Sequence, residues 1–148
     1  MEARRFALGV LAYLVPTFGI AFVWHLQLFA AYYADLQIYR VDKIIPLGFV
    51  AIAVQGILFS LAYSQFFAGF PVLRGGVRFA ILAGVLSWTF TTLSVAAKHP
   101  MTSVGGFMLV ETGFTVLQFA VVGPLMAMAW KGRTGGGEVK HRGTANVG

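Results

Sequence analysis

Four long apolar segments, separated by short polar ones, constrain the fold of this chain more than any other feature of its sequence. They cover residues 6–34, 44–68, 77–97 and 103–130. A helix needs about 20 predominantly apolar residues to cross the hydrocarbon core of a bilayer, and each segment meets that length. The sequence therefore predicts an all-α membrane protein in which four transmembrane helices form an up-and-down bundle.

The charge content argues against a soluble domain. Only 11% of the 148 residues are charged and 58% are hydrophobic, whereas soluble domains carry about 25% charged residues. The net charge of +6 comes from basic residues beside the apolar segments. This placement indicates contacts with anionic lipid headgroups on the cytoplasmic side rather than with nucleic acid. We expect one transmembrane domain over 1–130 and a disordered, basic, glycine-rich cytoplasmic tail over 131–148.

The lysines and arginines are divided unequally between the two ends of the predicted bundle. Eight lie on one side and three on the other. The larger group is Arg4, Arg5, Arg74, Arg78, Lys131, Arg133, Lys140 and Arg142; the smaller is Arg40, Lys43 and Lys98. Because basic residues concentrate in cytoplasmic segments, both termini are predicted to be cytoplasmic.

Two ionisable residues lie deep inside predicted spans, His25 in the first and Glu111 in the fourth. His25 precedes the outer end of its span, near Tyr33, by eight residues, and Glu111 follows Ser103 by eight. Both therefore lie about 12 Å below the same boundary. Because the first and last helices of such a bundle are neighbours, we predict that the two side chains lie within about 8 Å of each other.

Other polar residues extend this level into a predicted layer. Glu111, Thr115 and Gln118 share one face of the fourth span through their i, i+4, i+7 spacing. Ser87 and Thr91 follow a similar spacing on the third span. Gln27 points almost opposite to His25 and is left out. The candidate polar, ligand or proton site comprises His25, Glu111, Gln55, Ser87, Thr91, Thr115 and Gln118.

Several kinds of chemistry lack the residues they need. The chain has no cysteine, and His25 with Glu111 supplies only two of the three or four ligands of a usual metal site. We therefore expect no metal, no cofactor and no catalytic residues. The tyrosines 32, 33 and 39 are expected at the outer membrane interface. The GGVRF segment is expected to form a flexible cytoplasmic turn before the third span.

Three short motifs carry a resemblance to known proteins. They are the Trp24–His25 step, GGVRFAILAG before and within the third span, and ETGF at Glu111. With the topology, they resemble small four-span bacterial membrane proteins of uncharacterised families. The resemblance implies a multi-pass protein of the bacterial inner (plasma) membrane and no particular activity. Small multidrug transporters, by contrast, carry their essential glutamate in the first span.

Three functions follow from this pattern. The leading interpretation is a non-enzymatic integral membrane module or accessory subunit that associates with itself or with a larger membrane complex. The first alternative is a small proton- or cation-coupled transporter or channel that uses His25 and Glu111. The second is a lipid-acting membrane enzyme, which requires a cavity open to lipid beside His25. The leading interpretation also allows a purely structural polar layer, whose hydrogen bonds hold the helices together.

Overall fold

The computed structural model describes residues 2–40 and 42–132, and within these ranges the chain is all helical. Four helical runs are long and apolar enough to cross a membrane: Glu2–Leu28, Ile45–Phe66, Val72–Lys98 and Val104–Ala129. We call them spans one to four. The prediction of four spans is confirmed, and they indicate a multi-pass membrane protein. The predicted tail from residue 133 onward lies outside the described residues.

Spans one and three are not uniform α-helices. The elements are α1 (Glu2–Val23), a π turn (Trp24–Leu28), α2 (Ala30–Asp35), α3 (Ile45–Phe66), α4 (Val72–Trp88), a second π turn (Thr89–Leu93), α5 (Ser94–Lys98) and α6 (Val104–Ala129). The first apolar segment, predicted over 6–34, therefore contains a break, because the first π turn ends at Phe29. A π turn holds about one residue more than an α turn, which rotates the faces beyond it.

Span three begins earlier than the sequence suggests. The expected flexible GGVRF turn is instead part of α4, which begins at Val72. The reason is tertiary packing against α6. A Cβ atom added to Gly76 would lie 3.0 Å from the carbonyl oxygen of Gly123 and 3.1 Å from Cβ of Ala127. The close approach of two helices stabilises a glycine pair that has poor intrinsic helix propensity.

Spans one and four form the central pair of the arrangement. Span one packs against spans two and four, and span four packs against span three. The prediction that the first and last spans are neighbours is therefore confirmed. We call the end that carries the loops 36–44 and 99–103 the Tyr39 end. The opposite end, which carries Glu2 and the loop 67–71, is the Trp130 end.

A compact aromatic core fills the bundle toward the Trp130 end. Its buried members are Tyr13, Tyr63, Phe67, Ala68, Phe79, Ala83, Phe119, Val122, Met126, Ala127 and Trp130. The ring of Phe59 contacts Tyr13 and Phe79 edge to face, at centroid distances of 5.1 Å and 5.7 Å. Val122 and Met126 are fully buried. This packing places most of the buried aromatic side chains toward the Trp130 end, whereas Glu111 lies in the other half of the bundle.

Candidate functional site

His25 and Glu111 are in direct contact. Nε2 of His25 lies 3.1 Å from Oε1 of Glu111, so the predicted proximity is confirmed. Glu111 is buried, with 3% of its surface exposed, while the His25 side chain is 19% exposed. The ring of Phe114, one turn after Glu111, packs against the imidazole at a centroid distance of 4.6 Å. The pair therefore joins spans one and four in largely apolar surroundings.

Two tyrosines complete the site. The hydroxyl of Tyr33 donates to Oε1 of Glu111 at 2.6 Å, and that of Tyr39 donates to the same oxygen at 3.2 Å. Three side chains, one each from span one, α2 and the loop after α2, thus converge on one carboxylate oxygen. The sequence places both tyrosines at the membrane interface and does not reveal this role.

The π turn explains how Tyr33 reaches Glu111. In a regular helix, residues eight positions apart differ by about 80° in direction, so Tyr33 would point away from the face that carries His25. One additional residue in the turn reduces this difference to about 20°. The rings of His25 and Tyr33 accordingly lie together, with centroids 5.0 Å apart. The local irregularity thus places both side chains on one face.

Tyr39 reaches the site from the loop after α2. The backbone at Gln37 is left-handed, with φ of 59°, which ends the helix and turns the chain back over the bundle. Thr102 fixes this loop, because its hydroxyl donates to the Asp35 carbonyl at 3.0 Å and its N–H donates to the Leu36 carbonyl at 3.3 Å. Burial raises the pKa of the Tyr39 hydroxyl above its usual range, and the charge of Glu111 acts in the same direction.

The hydrogen bonds of His25 restrict where its protons lie. Its Nδ1 atom is 3.1 Å from the carbonyl oxygen of Ala21. A carbonyl only accepts, so Nδ1 carries a hydrogen. Nε2 then either donates to an ionised Glu111 or accepts from a protonated one. Both arrangements place one proton between Nε2 and Oε1 and give the pair no net charge, which lowers the cost of burying it.

A second polar cluster lies deeper in the bundle. Gln118 donates to the hydroxyl of Thr17 at 3.1 Å and to that of Tyr13 at 3.3 Å. Tyr13 in turn donates to the amide oxygen of Gln55 at 2.8 Å. The structure therefore places Gln55 and Gln118 in this cluster rather than against Glu111. The separation follows from helix geometry, because seven residues along α6 rise about 10 Å.

The other residues of the predicted layer, Thr115, Thr91 and Ser87, do not all lie beside Glu111. Thr115 is buried, and its hydroxyl donates to the Glu111 backbone carbonyl at 2.9 Å. Thr91 is exposed, and its hydroxyl donates to the Ser87 carbonyl in its own helix at 3.0 Å. Ser87 is half-buried and is not among the hydrogen-bond partners of His25 and Glu111. The second π turn shifts the helix phase, so that Thr92 is buried in place of Thr91.

Two cavities open beside His25 at the Tyr39 end. One, of ≈ 380 Å³, is lined by His25, Leu26, Tyr39, Arg40, Lys43 and Ile44. The other, of ≈ 180 Å³, is an apolar groove between spans one and two. His25 and Leu26 line both. The imidazole therefore separates the buried carboxylate from space that is accessible at the surface of the bundle.

Among residues 2–40 and 42–132, no group of three histidine, cysteine, aspartate or glutamate side chains is placed to hold a metal ion. The chain was also compared with known proteins. No protein-family profile, curated protein or solved structure matches it.

Proposed function

We propose that this chain is a non-enzymatic integral membrane module whose His25–Glu111 pair forms a proton-sharing binding site open at the Tyr39 end. The observation that carries the proposal is the position of His25. It lines both cavities at that end, while its partner Glu111 is buried behind it. A pair that served only to hold helices together would not need such access.

The surroundings of the pair support binding rather than catalysis. The hydroxyls that reach the carboxylate belong to Tyr33 and Tyr39, and both donate to it. The hydrogen-bond partners of the imidazole are the Ala21 carbonyl and Glu111, and Ser87 is not among them. Both cavities that His25 lines lie at the Tyr39 end, whereas Val122 and Met126 are fully buried in the aromatic core toward the Trp130 end.

We propose further that the Tyr39 end faces outward from the plasma membrane and that both termini are cytoplasmic. The unequal distribution of basic residues supports this orientation. In that arrangement the basic residues of the Trp130 end contact anionic headgroups of the cytoplasmic leaflet. Association with a second copy or with a larger membrane complex is part of the same proposal and would allow a small module to act as a subunit.

Orientation is testable because the natural chain has no cysteine. Single-cysteine variants Lys98→Cys and Gly69→Cys place a thiol at the Tyr39 end and the Trp130 end, respectively. A membrane-impermeant maleimide applied to intact cells should label the first variant and should label the second only after lysis. The reverse pattern would invert the proposed topology.

Access to the site is tested with Leu26→Cys, because Leu26 lines both cavities. The matched control is Val54→Cys on span two, where Val54 is 50% exposed. Val54 lies nine residues from the end of α3 at Ile45, and Leu26 lies nine residues from the end of α2 at Asp35. In phosphatidylcholine vesicles a hydrophilic methanethiosulfonate should modify Leu26→Cys much faster, because it reacts with water-exposed thiolate. Equal slow rates would show a sealed, structural pair.

A second candidate function is proton- or cation-coupled transport. It is favoured by the polar residues that continue below Glu111, through Thr115 to the cluster around Gln118. In proteoliposomes under an imposed gradient, Glu111→Gln should abolish proton flux, whereas the exposed Thr91→Val should leave it unchanged. Wild-type flux no greater than that of empty vesicles would eliminate this candidate.

A further inference from the structure

The two cavities beside His25 are neighbours that share His25 and Leu26 and differ in chemistry. We call the two together the His25 cleft. Its mouth, at the Tyr39 end, is lined by Tyr39, Arg40 and Lys43. Its floor contains His25 and Leu26, which belong to both cavities, and its inner part is the groove between spans one and two. A ligand that fills the whole cleft must therefore match a basic mouth and an apolar interior.

The mouth carries uncompensated positive charge. Arg40 and Lys43 are exposed, and neither takes part in the ion pairs found in the part of the chain that the structure describes. The nearby Asp42 does not line the cleft. Each basic residue near a membrane surface attracts an anionic headgroup by about 1 kcal/mol. The mouth thus favours an anion at the level of the headgroups.

The groove below it is apolar and open to lipid. Its walls are formed by Phe18 and Phe22 of span one and by Phe49 and Ile52 of span two. At Gly48 an added Cβ atom would have no other atom within 4 Å, so the missing side chain enlarges the groove. Such a surface suits a hydrocarbon chain that extends inward from a headgroup.

We propose that the His25 cleft binds an anionic phospholipid, with its phosphate between Arg40 and Lys43 and one acyl chain in the groove. The inference rests on the proposed function and names the ligand class of that site. A small phosphate ion would occupy only the mouth. A zwitterionic phospholipid would bring its own cation against the two basic side chains, whereas an anionic lipid matches both parts of the cleft.

Lipid selectivity of the full-length protein provides the test. Spin-labelled phosphatidylglycerol and phosphatidylcholine with identical chains are compared in reconstituted vesicles by the fraction immobilised on the protein. The wild type should prefer phosphatidylglycerol. Arg40→Gln and Lys43→Gln should each lower the preference about five-fold. Lys98→Gln, a basic residue at the same end that does not line the cleft, should leave it unchanged.

The acyl chain is tested by filling the groove. Gly48→Leu should remove the selective binding of phosphatidylglycerol. Gly19→Leu is the matched control, because Gly19 lies in span one, outside the groove, and also has no atom within 4 Å of an added Cβ. Leucine has a better helix propensity than glycine, so both variants should fold.

Three results would overturn the lipid proposal. They are equal affinity of the wild type for the two lipids, equal binding by Gly48→Leu and Gly19→Leu, and displacement of phosphatidylglycerol by glycerol phosphate at comparable concentration. The last result would identify a site for a free phosphate anion.

If selectivity is absent while Leu26→Cys stays reactive in phosphatidylcholine, only the ligand class is wrong. If selectivity is present and Leu26→Cys is unreactive, the accessible proton-sharing site is wrong instead.

Discussion

The hydroxyl of Tyr33 lies 2.6 Å from Oε1 of Glu111, closer than Nε2 of His25 at 3.1 Å. Tyr33 and His25 stand on opposite sides of the break at Phe29. The carboxylate of span four thus holds both the π turn and the short helix α2 in place. The site is at once a candidate functional centre and a connection between two pieces of span one.

Removal of the Tyr33 hydroxyl should destabilise the protein. Interhelical hydrogen bonds in membranes average about 0.6 kcal/mol, and a carboxylate acceptor strengthens them. We expect Tyr33→Phe to lower the free energy of unfolding by about 1–2 kcal/mol, measured by reversible unfolding in mixed micelles. Tyr32→Phe is the control, because Tyr32 is not among the donors to Glu111. Equal effects of the two variants would contradict a special role of Tyr33.

His25 and Glu111 should be energetically coupled. His25→Gln and Glu111→Gln each leave a buried group without its partner. In the double variant both partners are absent, so the free energy of their shared interaction is lost only once. We expect a double-mutant cycle on unfolding free energy to give a coupling of about 0.5–3 kcal/mol. The pair His25→Gln and Thr91→Val, which does not share a contact, should be additive. Additive effects in the first cycle would show that the observed contact contributes nothing.

Tyr39 should make stability depend on alkaline pH. Its pKa is raised in the folded protein, first by burial and then by the charge and hydrogen bond of Glu111. Its contribution is therefore complete below the unfolded pKa of about 10 and declines as the pH rises above that value. The stability advantage of the wild type over Tyr39→Phe should shrink from about pH 9 to pH 11. Parallel stability curves would refute this effect.

The contact between spans three and four should tolerate no added methyl group at Gly123. A Cβ atom there would lie 2.7 Å from Cβ of Ala80 and 2.9 Å from the carbonyl oxygen of Gly76. Gly123→Ala should therefore cost about 1–3 kcal/mol. Gly19→Ala, which meets open space, should be neutral or stabilising by up to about 1 kcal/mol. A thermal unfolding transition of Gly123→Ala at or above the wild-type temperature would contradict the close packing.

The fold was largely predictable from the sequence because the bilayer imposes a length on every spanning helix. Four apolar segments of that length allowed few alternatives, and the observed runs begin and end within a few residues of most predicted bounds. The end of span one differs from its predicted bound, because the helix breaks at Phe29. The start of span three differs as well. Gly75 and Gly76 are poor helix formers, and only the approach of α6 explains their helical conformation. Such an approach is not visible in local sequence.

The site was predictable in part. Equal depth of His25 and Glu111 follows from counting residues, which needs no knowledge of side-chain packing. Tyr33 and Thr92 were missed because regular helical periodicity assigns them to other faces. No residue type marks a π turn in the sequence. One signal was present: Tyr33 lies eight positions after His25, and a single additional residue in the turn aligns them.

The π turn at Trp24–Leu28 has a consequence for how this protein tolerates change in chain length. The turn accommodates one surplus residue between His25 and Tyr33, independently of which amino acid supplies it. Deletion of Leu28, which is 67% exposed, would place Tyr33 seven positions after His25, and in a regular helix that spacing keeps the two side chains about 20° apart. A chain that is one residue shorter here can therefore keep the site if the π turn is lost with the deleted residue. A deletion that left the π turn in place would instead rotate Tyr33 away from Glu111 by about 100°.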